Sequence, residues 1–218
     1  MAEFYVFDMD HTLIENDCDV SWKEFCVAEK LAPETDIIEA ERFFQQYLSG
    51  TLDAEEFLAF QLREFIGNDE KRMRELAQKH FDNVVKKRVR PKAFAYVKEL
   101  VSAGKRCAIL TSTNEIIARP TGNFFGIKEV YGAQLEICDG LFTGRRCGIY
   151  TAGEGKAEIV RQLSAESNIP LSDFAAYGDS INDLPLLKTV GEPYAVSPGE
   201  SLKKEALELG FSILDWRE

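Results

Sequence analysis

The sequence is poor in the residues that several common kinds of active site need. Only two histidines occur among 218 residues, too few for an imidazole-based zinc site or for Ser-His-Asp catalysis. The five cysteines are an odd set without the close pairs of metal knuckles or redox motifs, so we interpret them as small, buried or half-buried hydrophobic residues. We therefore expect neither histidine-ligated zinc nor a disulfide redox centre.

Positive charge and long apolar segments are also scarce. Lysine and arginine together number 26 against 37 acidic residues, which gives a net charge of -11. A surface of this sign repels polyanions, so we predict no nucleic-acid partner and no membrane partner. No apolar run approaches the ~18 residues of a membrane span, and the N-terminus lacks the features of a leader. We expect a cytoplasmic protein, and the sequence leaves its oligomeric state open.

What the sequence does contain is a set of short apolar runs typical of buried parallel strands. These runs occupy residues 4–7, 107–110, 174–177 and 194–196. After the first run the pattern changes to amphipathic helices. The predicted helices occupy residues 21–30, 36–48, 53–66 and 69–87.

The distance between the first two predicted strands determines the domain organisation. A crossover between parallel strands needs only about a dozen residues, so the helical segment between them is an insertion. The sequence therefore predicts an α/β fold: a Rossmann-like parallel-sheet core, residues 1–15 and 89–218, with an inserted all-helical cap, residues 16–88. The Asp139-Gly140 pair, between two alternating runs, predicts a hairpin at the border of the sheet.

Polar side chains follow three of the predicted strands. Ligands of open parallel sheets bind beyond the carboxyl ends of the strands, so we expect these side chains to meet at one rim. They are Asp8 and Asp10, then Thr111 and Ser112, then Asp179, Asn182 and Asp183. Four carboxylates cannot remain ionised together without a counter-charge, and a purely oxygen donor set favours Mg2+. Mg2+ bridges readily to phosphate oxygens, so the expected partner is a small phosphorylated metabolite.

The spacing of the first two carboxylates suggests a division of labour. Asp8 is predicted to attack phosphorus and form an aspartyl-phosphate, while Asp10 acts as the general acid and then as the general base. Thr111 is expected to hold a phosphoryl oxygen, and Lys156, at a predicted helix start, to balance the phosphoryl charge. Ser112 and Asn182, on the same turns, are predicted to bind substrate.

These segments resemble the motifs of the haloacid dehalogenase superfamily of phosphohydrolases. The matching segments are DMDHT, Thr111, Lys156 and GDSINDLPLL. The helical insertion and the segment DGLFTG are most similar to the phosphoserine phosphatase-like subfamily. The resemblance implies that Mg2+ is held by the Asp8 carboxylate, the Asp10 backbone carbonyl and Asp179. It also implies that Asp183 supports the metal shell and Lys156.

The sequence departs from phosphoserine phosphatases where substrate is chosen. Those enzymes usually carry Ser-Gly-Gly where this chain has Thr111, Ser112 and Thr113, and Gln61 stands where they place a carboxylate-binding arginine. Arg63 falls on another helix face, whereas Asp17 is a counterpart of their amine-binding acid. This combination suits a phosphorylated amino alcohol, and TSTNEIIARP resembles relatives similar to histidinol-phosphate phosphatases. The roles of Trp22, Gln61 and Arg63 stay open.

We therefore expect a Mg2+-dependent phosphatase that acts on a phosphoserine-like or histidinol-phosphate-like metabolite. The same residues would serve a phosphotransferase that uses a small alcohol as acceptor. A non-enzymatic module that accepts phosphate on Asp8 is a third reading, but a neighbouring Asp10 would shorten the life of such a signal. A catalytically silent binding protein is disfavoured by the complete motif set.

Overall fold

A seven-stranded sheet forms the centre of the protein, in the order β4-β3-β2-β1-β5-β6-β7. The fold is seen in a computed structural model that describes residues 2–49, 51 and 53–217, so that Met1, Gly50, Leu52 and Glu218 lie outside the described residues. The strands are β1 (Phe4–Phe7), β2 (Arg106–Asn114), β3 (Glu129–Cys138), β4 (Leu141–Cys147), β5 (Phe174–Gly178), β6 (Glu192–Val196) and β7 (Ser212–Leu214). All neighbouring pairs are parallel except β3 and β4, which form an antiparallel hairpin at the edge. The predicted α/β fold is confirmed.

The helices lie in two groups along the chain. The first group falls between β1 and β2: α1 (Cys18–Ala28), α2 (Thr35–Ser49), α3 (Ala54–Gln61), α4 (Glu70–His80) and α5 (Pro91–Ser102). The second group accompanies the later strands: α6 (Glu115–Phe125), α7 (Glu154–Ser167), α8 (Leu184–Leu187) and α9 (Glu200–Leu209). None of the described helices is long and apolar enough to cross a membrane.

Alternation along β1 divides the core into two layers. Tyr5 and Phe7 point to one face of the sheet and Phe4 and Val6 to the other, as the two-residue period of a strand requires. Phe4 packs on Phe174, with ring centroids 4.8 Å apart, in the layer that α7 and α9 cover. The other layer continues without interruption into α1 and α4, so the helical segment shares a hydrophobic core with the sheet.

The segment between β1 and β2 is helical where it was predicted to be, with shifted ends. Asp17 accepts a hydrogen bond from Val20 N and caps α1, which therefore begins earlier than residue 21. The predicted helix 53–66 ends at Gln61 and continues as a 3-10 turn, and the predicted helix 69–87 ends at His80 and continues as a π-turn. No strand lies among the described residues of 16–88. The division into core and cap stays a prediction.

The prediction that all five cysteines are buried or half-buried is wrong for the two cysteines of the hairpin. Cys138 and Cys147, predicted to be buried or half-buried, are exposed on β3 and β4, whereas Cys18, Cys26 and Cys107 are buried. The reason is topological, because the hairpin of β3 and β4 lies at the edge of the sheet. All five cysteines are free thiols.

Candidate active site

The carboxyl ends of β1, β2 and β5 surround a pocket of about 230 Å³. These strands lie next to one another in the sheet, so residues far apart in the sequence meet there. The lining comprises Asp8, Asp10, His11, Asp17, Asp19, Ser112, Thr113, Tyr150, Ala152, Lys156, Asp179, Ser180 and Asn182. The expected meeting of the three strand ends at one rim is observed.

Lys156 lies at the base of this pocket between two carboxylates. Its Nζ donates to Asp8 Oδ1 and to Asp183 Oδ1, both at 2.6 Å, and the side chain is almost completely buried. Burial alone would lower the pKa of Lys156, but the charges of Asp183 and Asp8 outweigh it and raise the pKa above its ordinary value. Lys156 is therefore a fixed positive charge at the floor of the site.

Asp8 is held in one orientation by contacts on both of its oxygens. Oδ1 faces Lys156, and Oδ2 accepts a hydrogen bond from Thr12 Oγ1 at 3.1 Å. Thr12 lies 3.2 Å from Asp179 Oδ1 as well, so one hydroxyl spans the ends of β1 and β5. Burial raises the pKa of Asp8, although Lys156 acts in the opposite direction. Thr12, the last residue of the DMDHT motif, was not singled out from the sequence.

The turn after β5 places Asp183 beneath the pocket. Asp183 Oδ2 accepts hydrogen bonds from the backbone N–H groups of Asp179 (3.2 Å) and Ser180 (3.1 Å). The turn closes tightly because Gly178 has no side chain, since a Cβ there would lie 2.6 Å from the Asp183 Cβ. The same tight turn therefore explains both Gly178 and Asp183 of the GDSIND segment.

Three of the predicted metal ligands lie close enough to share an ion. One carboxylate oxygen from each of Asp8, Asp179 and Asp183 falls within 4.8 Å of the other two. Burial and the charge of Asp8 raise the pKa of Asp179 to about 8. The rise reflects the cost of holding these carboxylates ionised together, and a bound divalent cation would remove that cost. These hard oxygen donors, crowded beside a pocket, fit Mg2+.

Asp10 lines the same pocket as Lys156. Its Oδ1 accepts from the backbone N–H of Cys18 at 2.9 Å and its Oδ2 from Thr113 Oγ1 at 2.7 Å. Burial, with the nearby charge of Asp17, raises the pKa of Asp10 to about 7. A carboxyl group with a pKa near neutrality can both donate and accept a proton at physiological pH.

The residues after β2 divide between the lining and the layer behind it. Ser112 and Thr113 line the pocket, whereas Thr111 is 1% exposed and is not among the lining residues. The Thr111 hydroxyl lies 3.5 Å from Asp10 Oδ2 and accepts from the backbone N–H of Thr113 at 3.2 Å. Thr111 is placed to support Asp10, and its predicted contact with a phosphoryl oxygen stays a prediction.

The mouth of the pocket is acidic. Asp17, at the start of α1, and the half-buried Asp19 both line it, and burial with the charges of Asp17 and Asp10 raises the pKa of Asp19 well above its ordinary value. Tyr150, on the connection between β4 and α7, completes this side. Lys156 is the only lysine or arginine among the described residues that line the pocket.

The three residues of the helical segment whose roles the sequence left open are not part of the pocket lining. Trp22 is 1% exposed and packs against Phe65 in the core. Gln61 is buried with its Oε1 unpartnered within the described part of the chain, and Arg63 pairs with Asp36 at 3.1 Å. None of the three lines the catalytic pocket.

Sequence and structure comparisons identify the family. Residues 5–188 match the model of the haloacid dehalogenase-like hydrolases. A histidinol-phosphatase of Neisseria meningitidis serogroup C (strain 8013) is 34% identical over 223 residues, covering 100% of both chains. The chain therefore belongs to the haloacid dehalogenase-like hydrolase family and is a phosphoric monoester hydrolase of that family.

Solved structures share the fold. The crystal structure of a protein of unknown function from Bordetella pertussis Tohama I matches with a TM-score of 0.88 at 29% identity, covering 100% of both chains. A substrate-bound phosphoserine phosphatase matches with a TM-score of 0.71 at 19% identity, covering 100% of this chain and 94% of that chain, a likeness of fold alone. The resemblance seen in the motifs is confirmed at the level of family and fold.

Proposed function

We propose that this protein is a Mg2+-dependent phosphatase that hydrolyses a small, amine-bearing phosphomonoester through an aspartyl-phosphate on Asp8. The observation that carries the proposal is the buried arrangement in which Lys156 lies 2.6 Å from both Asp8 and Asp183. Asp179 and Asp10 line the same pocket. Such a set supplies a nucleophile, a fixed positive charge, a metal site and a proton carrier together.

The first half-reaction follows from the orientation of Asp8. A carboxylate oxygen of Asp8 attacks phosphorus, the bond between phosphorus and the ester oxygen breaks, and Asp10 donates a proton to the departing alcohol. Lys156 and the Ser112 and Thr113 segment hold the phosphoryl oxygens while negative charge builds up. A raised pKa lets Asp10 carry the proton that this step needs.

The second half-reaction uses the same residues in reverse roles. Asp10, now ionised, removes a proton from water, whose oxygen attacks phosphorus, and the bond between phosphorus and Asp8 breaks to release inorganic phosphate. Bound Mg2+ would be held by Asp8, Asp179 and the Asp10 backbone carbonyl, with Asp183 in support, and would neutralise charge on the phosphoryl group.

The acidic mouth of the pocket supports an amine on the leaving group. Asp17 and Asp19 both line the pocket, and Lys156, which is already paired with Asp8 and Asp183, is the only lysine or arginine among the described lining residues. Two acids would repel a phosphate ester unless its other end were cationic. Histidinol phosphate has this chemistry, with an amine and an imidazole, and the relative from Neisseria meningitidis is named for it. We propose a phosphorylated amino alcohol of this kind as the substrate.

The test is phosphate release from histidinol phosphate, phosphoserine and an aryl phosphate, each with Mg2+ and with a chelator. The expected result is Mg2+-dependent release that is fastest with histidinol phosphate, because this ester is cationic at its far end and lacks the carboxylate of phosphoserine. Analysis of products in the presence of small alcohols separates hydrolysis from phosphotransfer. Release that is independent of Mg2+, or absent for every ester, would refute the proposal.

A further inference from the structure

A second pocket lies where the chain leaves and re-enters the sheet core. This junction pocket has a volume of about 210 Å³ and shares no lining residue with the catalytic pocket. Its lining includes Glu15, Lys87, Arg88, Arg90, Pro91 and Trp216. Backbone hydrogen bonds from Glu15 N to Arg88 O (2.7 Å) and from Arg90 N to Leu13 O (3.1 Å) join the two connecting segments. The pocket therefore lies on two connecting segments that are hydrogen-bonded to each other.

Arg90 is the unusual residue of this pocket. It is only 6% exposed, yet its Nε and Nη1 atoms are buried and have no hydrogen-bond partner in the described part of the chain. A guanidinium group keeps its charge at every physiological pH, and a buried charge without a partner is strongly unfavourable. The position therefore calls for an anion from outside the described residues.

The surroundings of Arg90 add further positive charge. Lys87 and Arg88 are exposed beside it, and neither forms an ion pair with any described residue, while Glu15 is the single acid of the lining. Pro91 begins α5, a helix of 12 residues whose N-terminus receives no side-chain cap from Arg90. The helix dipole at this end also favours an anion. Three unpaired cations around one pocket stand out in a protein with a net charge of -11.

We propose that the junction pocket binds a dianionic phosphate group, free or as part of a phosphomonoester. Arg90 contributes a guanidinium charge that no described residue compensates, and Lys87 and Arg88 add positive charge from exposed side chains of the lining. A doubly charged group balances the charge of the pocket better than a single carboxylate, because the described lining residues include three cations and one acid. The site is independent of the catalytic one and holds whether or not the proposed substrate is right.

The test is a calorimetric titration of the full chain with inorganic phosphate in Mg2+-free buffer at constant ionic strength. Without the metal, the carboxylates of the catalytic pocket repel phosphate, so binding there is suppressed. A parallel titration with glycerol phosphate distinguishes the two sources, because the tighter ligand identifies whether free phosphate or an ester is preferred. Lys86→Ala is the matched control, since Lys86 is exposed beside Lys87 but does not line the pocket.

We expect one phosphate group to bind per wild-type chain. Binding should weaken at least about tenfold in Arg90→Met and in the double variant Lys87→Ala/Arg88→Ala, and should be unchanged in Lys86→Ala. The double variant alters only exposed side chains, so it tests the site even where Arg90→Met does not fold. Absence of binding to the wild type, or equal binding by the wild type and the double variant, would overturn the proposal.

Discussion

Two buried lysines, one at the rim of the sheet and one inside the helical segment, have similar contacts. Lys156 donates to Asp8 and Asp183 at 2.6 Å. Lys23, fully buried, donates to both oxygens of Glu64 at 2.7 Å and to the carbonyl of Phe60 at 2.6 Å. Contacts alone therefore do not tell a catalytic lysine from a structural one.

Charge balance and access separate the two sites. The rim cluster, defined as Asp8, Lys156, Asp179 and Asp183, has three acids for one cation and opens into a pocket. The helix cluster, defined as Lys23, Asp36, Arg63 and Glu64, has two acids and two cations joined in ion pairs, and Arg63 also pairs with Glu39 at its exposed edge. In the helix cluster each buried acid has a cation beside it, so no added ion is needed to compensate its charge. In the rim cluster three acids share one lysine beside open space, which favours binding of a metal ion.

Replacing each lysine by methionine tests this contrast most strongly. Lys156→Met should lower kcat/KM by about 10³-fold or more, because the developing phosphoryl charge loses its fixed counter-charge. Lys23→Met should leave kcat/KM almost unchanged and lower the free energy of unfolding by about 3–5 kcal/mol, because Glu64 stays buried without its partner. Phosphate release and urea denaturation measure both effects. An inactive but stable Lys23→Met protein would break the comparison.

The second test concerns a neutral buried group in the same helical segment as the helix cluster. His80 is fully buried with its Nε2 3.0 Å from Ser21 Oγ, and burial lowers the pKa of His80 from 6.5 to about 4. Between these pH values the unfolded chain binds a proton that the folded protein does not, so stability falls as the pH falls from 6.5 towards 4. The loss is on the order of 3 kcal/mol.

The control for His80 is His80→Gln, which cannot titrate. Denaturation curves at several pH values should show that the difference in unfolding free energy between wild type and variant changes across this window and is constant above it. A difference that stays constant from pH 7 to pH 4 would be evidence against the buried neutral histidine.

Metal binding should distinguish the two clusters directly. Mg2+ at about 100 times its Kd should stabilise the wild type by about 2.7 kcal/mol, because the ion binds the folded state alone. This gain should disappear in Asp179→Asn at the rim and persist in Glu64→Gln in the helix cluster. Thermal denaturation with and without Mg2+ gives the answer, and a gain retained by Asp179→Asn would place the ion elsewhere.

The smallest expected effect concerns the mouth of the pocket. Asp19→Asn should lower kcat/KM for histidinol phosphate by about tenfold and leave an aryl phosphate unaffected, because only the amine loses a charged partner. Asp17→Asn is the matched variant, since asparagine can still cap α1 while the charge is removed. Equal losses on both substrates would show that these acids serve the general machinery and not the choice of substrate.

The sequence predicted the parts of the site that follow from local pattern. Asp8, Asp10, Asp179 and Asp183 sit directly after apolar runs, and parallel strands bring their carboxyl ends to one rim whatever the details of packing. The helical segment was equally predictable, because amphipathic periodicity is a local signal. Asp17 was not recognised from the sequence as a helix cap. The shift from residue 21 to Cys18 at the start of α1 reflects that cap.

The parts that sequence reasoning missed depend on tertiary contacts. Tyr150 reaches the pocket because its carbonyl packs against Gly155, where a Cβ would lie 1.8 Å from the Tyr150 oxygen. The contact of Thr113 with the site is known only from the structure, in which its hydroxyl donates a 2.7 Å hydrogen bond to Asp10 Oδ2. The first half of β3, which pairs with β2, was also missed. Residues 129–134 lack a regular alternation of apolar and polar side chains. The exposure of Cys138 and Cys147 follows from the position of the hairpin at the sheet edge.

The most direct test of the account is the rate of phosphate release by Asp8→Asn compared with the wild type, on histidinol phosphate with saturating Mg2+. The amide cannot form an aspartyl-phosphate, so release should fall by at least about 10³-fold while circular dichroism shows an unchanged fold. A folded Asp8→Asn protein that retains a tenth or more of the wild-type rate would contradict the assignment of Asp8 as the nucleophile.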